Sequence, residues 1–177
     1  QHYNFLGWKH RLAPKQEEWS KFAVEQCLFI FCLRNPYSWL KAMHQEPYYD
    51  HYPKIKELSF EQFVQFSIED YENPIAMWNQ KNASYLCMAA EVPNAIIIPV
   101  EKFHAAQEVV HSEIQTILGQ SDVPFIRMQD YVNGRGLHDQ KDIEFSLAIP
   151  NLDQNTIELI NASLSPEILK QCNYQKI

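Results

Sequence analysis

The chain has 177 residues, 46% of them hydrophobic and 21% charged, proportions that fit one globular domain with its own core and exclude an intrinsically disordered polymer. A formal net charge of −7 argues against a general nucleic-acid binder, because a phosphate backbone is held by clustered Lys and Arg. It leaves room for a small anion, which needs only two or three cations and some backbone amides.

The N-terminus, Gln1-His2-Tyr3-Asn4, has no initiator Met and no signal-peptide pattern, so the chain reads as entered partway through a gene. Asn4-Phe5-Leu6-Gly7-Trp8 predicts a short strand. A stronger one comes at Leu28 to Leu33, within the apolar run from Cys27, and Arg34-Asn35-Pro36 ends it abruptly. A helix starting near Tyr37 or Ser38 would bury Trp39, Leu40 and Met43. Ser59 with Gln62 forms a capping-box pattern ahead of Phe60, Phe63 and Val64. Asn73-Pro74 supplies an N-cap and a first-turn proline, after which Trp78, Tyr85, Leu86 and Ala89 share one helical face.

Ala95 to Val100 is the second continuous apolar run. Lys102 to Leu118 predicts one helix, with Ala106, Val109, Val110, Ile114 and Ile117 at helical spacing and Gly119 as its stop. Ser121 to Pro150 reads as surface loop with one short helix. Asn155 with Glu158, and Ser165-Pro166, start two closing helices. Continuous rather than alternating hydrophobicity fits strands covered on both faces. Strands separated by helices then predict a single three-layer α/β domain over residues 1–177, with a mainly parallel sheet flanked by helices.

No apolar run approaches the roughly 20 residues of a membrane span. Four cysteines are too few for a disulfide scaffold. Cys27 and Cys32, five apart in the predicted strand, point to opposite faces, and no CxxC or HxxxH spacing offers a metal site. The expectation is therefore reduced, mostly buried thiols, no metal and a cytoplasmic protein.

Ligands of parallel α/β sheets bind at the carboxyl ends of the strands. Arg34 stands at such an end, beside a helix N-terminus with free amides, which is a recipe for a phosphate site; a structural ion pair is the competing reading. The loop Gly7-Trp8-Lys9-His10-Arg11-Leu12-Ala13-Pro14 is the second candidate. A histidine suits general-base work near neutral pH and a lysine supplies a point charge, whereas a solvated Lys-His-Arg cluster is the plain alternative.

Phe31-Cys32-Leu33-Arg34-Asn35-Pro36-Tyr37-Ser38-Trp39-Leu40 resembles the strand-loop-helix with which sulfotransferases hold the 3′-phosphate of 3′-phosphoadenosine 5′-phosphosulfate. Asn73-Pro74-Ile75-Ala76-Met77-Trp78-Asn79-Gln80-Lys81 is similar to a helix start in bacterial members. Ile97-Ile98-Pro99-Val100-Glu101-Lys102-Phe103 resembles a later strand and turn of theirs, and Leu164 to Tyr174 their closing helix. The resemblance implies a P-loop-like sulfotransferase fold and transfer of a sulfuryl group to a hydroxyl or amine of a small-molecule or carbohydrate acceptor. By it, Arg34 binds the 3′-phosphate, Lys9 offsets charge on the bridging phosphate, and His10 is the base.

The family's second phosphate ligand, a serine eight residues after the arginine, falls here on Ala42, and Ser38 one turn earlier is the substitute hydroxyl. The family's Pro-Lys-x-Gly-Thr loop for the 5′-phosphosulfate does not occur around any of the four glycines, Gly7, Gly119, Gly134 and Gly136. The fold is thus expected to be incomplete at its N-terminal side. Asn133-Gly134-Arg135-Gly136 reads as a turn from which Arg135 would reach the nucleotide. The aromatic stretch Pro47 to Tyr52 would touch the acceptor or pack as a loop. A degenerate, non-catalytic binding module of the same fold is the rival reading; a kinase-like enzyme lacks its own phosphate loop equally.

Overall fold

Both strong apolar runs form strands and pair with each other. A computed structural model describes residues 11–47, 53–120, 122–127 and 147–177. In it β1, Phe29–Leu33, lies parallel to β2, Ala95–Pro99, in a register running from Phe29 opposite Ala95 to Leu33 opposite Pro99. The two strands therefore end level, and the residues just beyond them, Arg34 and Val100, meet at one edge. Asn4 to Trp8 and most of the predicted loop from Ser121 to Pro150 lie outside the described residues; 122–127 are irregular.

Helices carry the connection between the strands. Short α1, Gln16–Trp19, precedes β1; α2, Pro36–Gln45, comes after it; α3, Pro53–Glu57, and α4, Phe60–Phe63, lead to the long α5, Pro74–Glu91. Each main start has a chemical reason. Asn35 Oδ1 accepts from the amides of Tyr37 and Ser38 ahead of Pro36. Ser59 and Gln62 make the reciprocal capping box, and Asn73 Oδ1 accepts from Ala76 N at 2.8 Å ahead of Pro74.

After β2 come α6, Val100–Ala105, and α7, Gln107–Leu118, where one helix was expected from Lys102 to Leu118. Ala106 breaks it at φ −145°, ψ 56°. Its N–H still closes α6 on the Lys102 carbonyl while its own carbonyl accepts from Val109 and Val110 and opens α7. The break seats Val110 against Ile96 and Ile98 of the sheet, with Ile114 and Ile117 alongside, and leaves Val109 exposed. Gly119 stops α7 at φ 62°, a conformation that costs glycine nothing. The first closing helix, α8, Gln154–Ser163, is capped two residues earlier than expected: Asp153 Oδ1, not Asn155, accepts from Thr156 N. Ser165 caps α9, Pro166–Gln171, as read from the sequence.

The described residues thus form a mixed α/β fold with a small parallel sheet and many helices. Most of the core is helical rather than sheet-borne: Tyr37, Leu40, Met43, Phe63, Trp78 and Ile160 are among its fully buried members. Burial of both faces was expected for the strands, yet in β1 Ile30 and Cys32 are exposed. On α5 Trp78 is buried as expected, whereas Tyr85, Leu86 and Ala89 are only half-buried, and Met77, Lys81, Asn82 and Met88 lie deeper. The thiols also depart from expectation. Cys172 is buried, and burial pushes its thiol up to about 11. Cys27 is half-buried and precedes the strand, while Cys32 and Cys87 are exposed.

No helix among the described residues is long and apolar enough to cross a membrane, and no group of three or more metal-ligating side chains occurs among them.

Candidate functional site

Because β1 and β2 are parallel and in level register, both deliver the chain to the same edge. Arg34 is there, half-buried, directly after Leu33. Its Nε donates to Ser38 Oγ at 3.1 Å, one helical turn on, and the Ser38 hydroxyl donates in turn to the Asn35 carbonyl at 3.1 Å. Ser38 is completely buried. A hydroxyl has a single proton, and here the Asn35 carbonyl takes it, so what Ser38 provides is an acceptor that aims Arg34.

The expected free amides of α2 are not open. Asn35 Oδ1 accepts from Tyr37 N at 3.0 Å and from Ser38 N at 3.5 Å, so the cap already occupies the place an anion would take at that N-terminus. The cation at this edge is accordingly the guanidinium rather than the helix end. Ala42, one turn beyond Ser38, is half-buried and offers no hydroxyl.

Three residues that sequence reasoning did not assign to the site surround Arg34. Trp78 Nε1, from α5, donates to the Arg34 carbonyl at 3.0 Å. Glu101, in the first turn of α6, accepts the Asn35 N–H on Oε1 at 2.9 Å. Tyr174, beyond α9, donates its hydroxyl to Glu101 Oε2 at 2.9 Å. Burial first, then the charge of Glu101 and the bond to it, push ionisation of the Tyr174 hydroxyl far upward, with the Arg34 charge acting in the opposite direction. Tyr174 therefore stays neutral and donating.

Glu101 carried a signal that was readable: two parallel strands must end at one edge, so the residues just after the second strand face those just after the first. Tyr174 carried none, being more than 70 residues from either strand end.

A second polar knot lies beside it. The Tyr37 hydroxyl, on a fully buried ring, donates to Asn161 Oδ1 and accepts from Ile177 N at 3.2 Å, while Asn161 Nδ2 donates to the Ile177 carbonyl at 2.8 Å. Lys81, one turn after Trp78, is a buried cation whose ammonium sits 5.8 Å from the Tyr71 ring centroid. Burial lowers its basicity, and the charge of Glu69 opposes that. Glu69 itself is held at φ 51° in the tight turn from Ile68 to Tyr71, a left-handed conformation unusual for its residue type.

The other candidates fall outside the described residues: Lys9, His10 and Arg135. The chain enters the described part at Arg11, whose guanidinium pairs with Glu18 at 3.0 Å and whose carbonyl accepts from the Tyr85 hydroxyl at 2.7 Å. Ala13 N donates to Ser84 Oγ at 2.9 Å. Tyr85 lies seven residues along α5 from Trp78, about 10 Å of helix rise. The structure thus brings together Arg34, Ser38, Trp78, Glu101 and Tyr174, and leaves the Arg11 entry further along the same helix. Comparison with known protein families, curated proteins and solved structures finds no match for this chain.

Proposed function

We propose that this chain is a sulfotransferase-type domain, of the three-layer parallel kind, whose sheet edge holds the 3′-phosphate of 3′-phosphoadenosine 5′-phosphosulfate. The observation that carries the reading is Arg34 at the carboxyl end of a parallel strand, aimed by Ser38 Oγ at 3.1 Å. A guanidinium held in one direction is the side chain best suited to a phosphate, because its planar fork matches two phosphate oxygens. In this reading Arg34 binds the 3′-phosphate, Ser38 orients Arg34, and Arg135 adds a second cation to the nucleotide. The donor supplies an activated sulfuryl group. His10 takes the proton from the acceptor hydroxyl or amine as that group is attacked, and Lys9 offsets charge on the departing phosphate.

A second reading, a non-catalytic binding module of the same fold, is favoured by two observations. Ala42 stands where the family places a serine, and Asn35 occupies the α2 amides.

Both readings are tested by titrating the chain with 3′-phosphoadenosine 5′-phosphate and following amide and Arg Nε–H resonances, which detect weak binding. Weak binding centred on Arg34 is expected, because no phosphosulfate loop occurs in these 177 residues. Arg34→Ala should weaken it by about tenfold to over a hundredfold, the range for losing a charge-assisted, two-pronged contact. No perturbation near Arg34, or the same affinity in Arg34→Ala, would end the phosphate reading. Sulfuryl transfer in a version supplied with a phosphosulfate loop separates the two: His10→Ala should lower kcat roughly 10²–10⁴-fold if the domain is an enzyme.

A further inference from the structure

Two side chains from separate parts of the sequence grip one peptide group, that joining Arg34 to Asn35, and a third braces both. Its carbonyl oxygen accepts from Trp78 Nε1 at 3.0 Å, and its N–H donates to Glu101 Oε1 at 2.9 Å. Tyr174 holds both gripping residues. Its hydroxyl donates to Glu101 Oε2 at 2.9 Å, and its ring lies 6.5 Å, centroid to centroid, from that of Trp78. A peptide plane bonded at both its oxygen and its nitrogen cannot rotate without breaking a partly buried hydrogen bond, one of them to a charged carboxylate. The Arg34 Cα opens that plane, so the direction of its side chain depends on it.

We propose that Glu101 and Tyr174 are positioning residues for the Arg34 site: they lock the Arg34–Asn35 peptide and thereby fix how the guanidinium is presented to an anion. The proposal rests on the phosphate reading of Arg34. Both Glu101 oxygens take part in the grip, Oε1 accepting from the Asn35 N–H and Oε2 from the Tyr174 hydroxyl. Tyr174 stays a donor because its hydroxyl, buried and next to Glu101, resists ionisation.

The test compares Tyr174→Phe, Glu101→Ala and Glu101→Gln with the unaltered chain, using 3′-phosphoadenosine 5′-phosphate as the probe. Tyr174→Phe keeps the ring against Trp78 and leaves the charge unchanged, so it removes one hydrogen bond from a folded protein. It should weaken binding by about three- to tenfold. Glu101→Ala should weaken it by about tenfold or more, and Glu101→Gln, which keeps an acceptor for Asn35 N–H and drops the charge, should restore it. Glu101→Ala binding as tightly as the unaltered chain, or more tightly, would overturn the proposal, since Glu101 would then be only a repelling charge.

Failure of the phosphate reading is told apart without ligand. In the free protein the Asn35 amide and Arg34 Nε–H resonances should shift, and exchange faster with water, in both Tyr174→Phe and Glu101→Ala. If both resonances stay at their original positions, the lock does not exist, whatever the nucleotide does. If the unaltered chain ignores the nucleotide while those resonances move, the lock stands and the phosphate reading is what has failed.

Discussion

The carboxyl edge of the sheet and the region around α7 are held in different ways. At the carboxyl edge, hydrogen bonds join residues 44 to 140 positions apart: Trp78 to Arg34, Glu101 to Asn35, Tyr174 to Glu101, and Tyr37 to Asn161 and Ile177. Around α7, four side-chain bonds among the described residues are local, spanning 4 to 11 positions: from Ser112 and Thr116 to the preceding turn, from Gln115 to Val123, and between Lys102 and Glu113. Apolar side chains stay exposed there too, Val109, Leu118, Val123 and Ile126 among them. Partly buried long-range bonds are costly to leave half-made, whereas local surface bonds exchange readily for water. The first region should therefore fail as a unit and the second should yield piecemeal.

The largest expected effect breaks the first region at its centre. Trp78 is 1% exposed, and Trp78→Ala both opens a cavity and leaves the Arg34 carbonyl without its indole donor. Urea unfolding should show a loss of about 3–5 kcal/mol, the usual range for truncating a buried aromatic. Val109→Ala, at a side chain 50% exposed, should stay within about 0.5 kcal/mol. Similar losses in both variants would erase the contrast. The next effect sharpens it. Tyr37→Phe removes only an oxygen, but that oxygen serves Asn161 and Ile177 together. The cost should be about 1–3 kcal/mol if these polar groups are left partly unsatisfied; unchanged stability would mean water replaces the hydroxyl at no cost.

Much of this contrast could not be read from the sequence. Local chemistry was legible wherever one residue decides one turn: the caps at Ser59, Asn73 and Ser165, the stop at Gly119, and the two apolar runs all appear where expected. Legibility failed where a long-range fit overrode a local pattern. The spacing from Lys102 to Leu118 is good helix, yet Ala106 breaks it so that Val110 can reach the sheet. Asn155 looked like a cap, but Asp153 takes the role, its carboxylate bonding both the amide and the hydroxyl of Thr156. At the sheet edge, the place of Arg34 was legible because a cation after an apolar strand is a local signal. The grip on it was not, because Trp78 read as core and Tyr174 as tail, and only the folded chain brings them together. The capping of the α2 amides by Asn35 was the detail most open to foresight, since an Asn before Pro at a helix start is an N-cap pattern in its own right.

The smallest expected effect tests where the two regions meet. Lys102 comes directly after Glu101 in α6, and its ammonium pairs with Glu113 of α7 at the surface, both side chains about 40% exposed. Pairs of this kind contribute roughly 0.2–1 kcal/mol in dilute salt and less as salt screens them. Glu113→Gln should therefore lower stability by no more than that, and the difference from the unaltered chain should shrink further in about 1 M salt, where the screening length falls to about 3 Å. The informative readout lies one residue away. If α6 passes no strain across to the strand end, the Asn35 amide resonance, which reports the bond to Glu101, stays fixed in Glu113→Gln. If instead it moves while the stability change remains small, α6 is a mechanical link. The α7 surface would then bear on how Arg34 is held, and the division between a cooperative edge and a piecemeal one would have to be redrawn with Lys102 on the cooperative side.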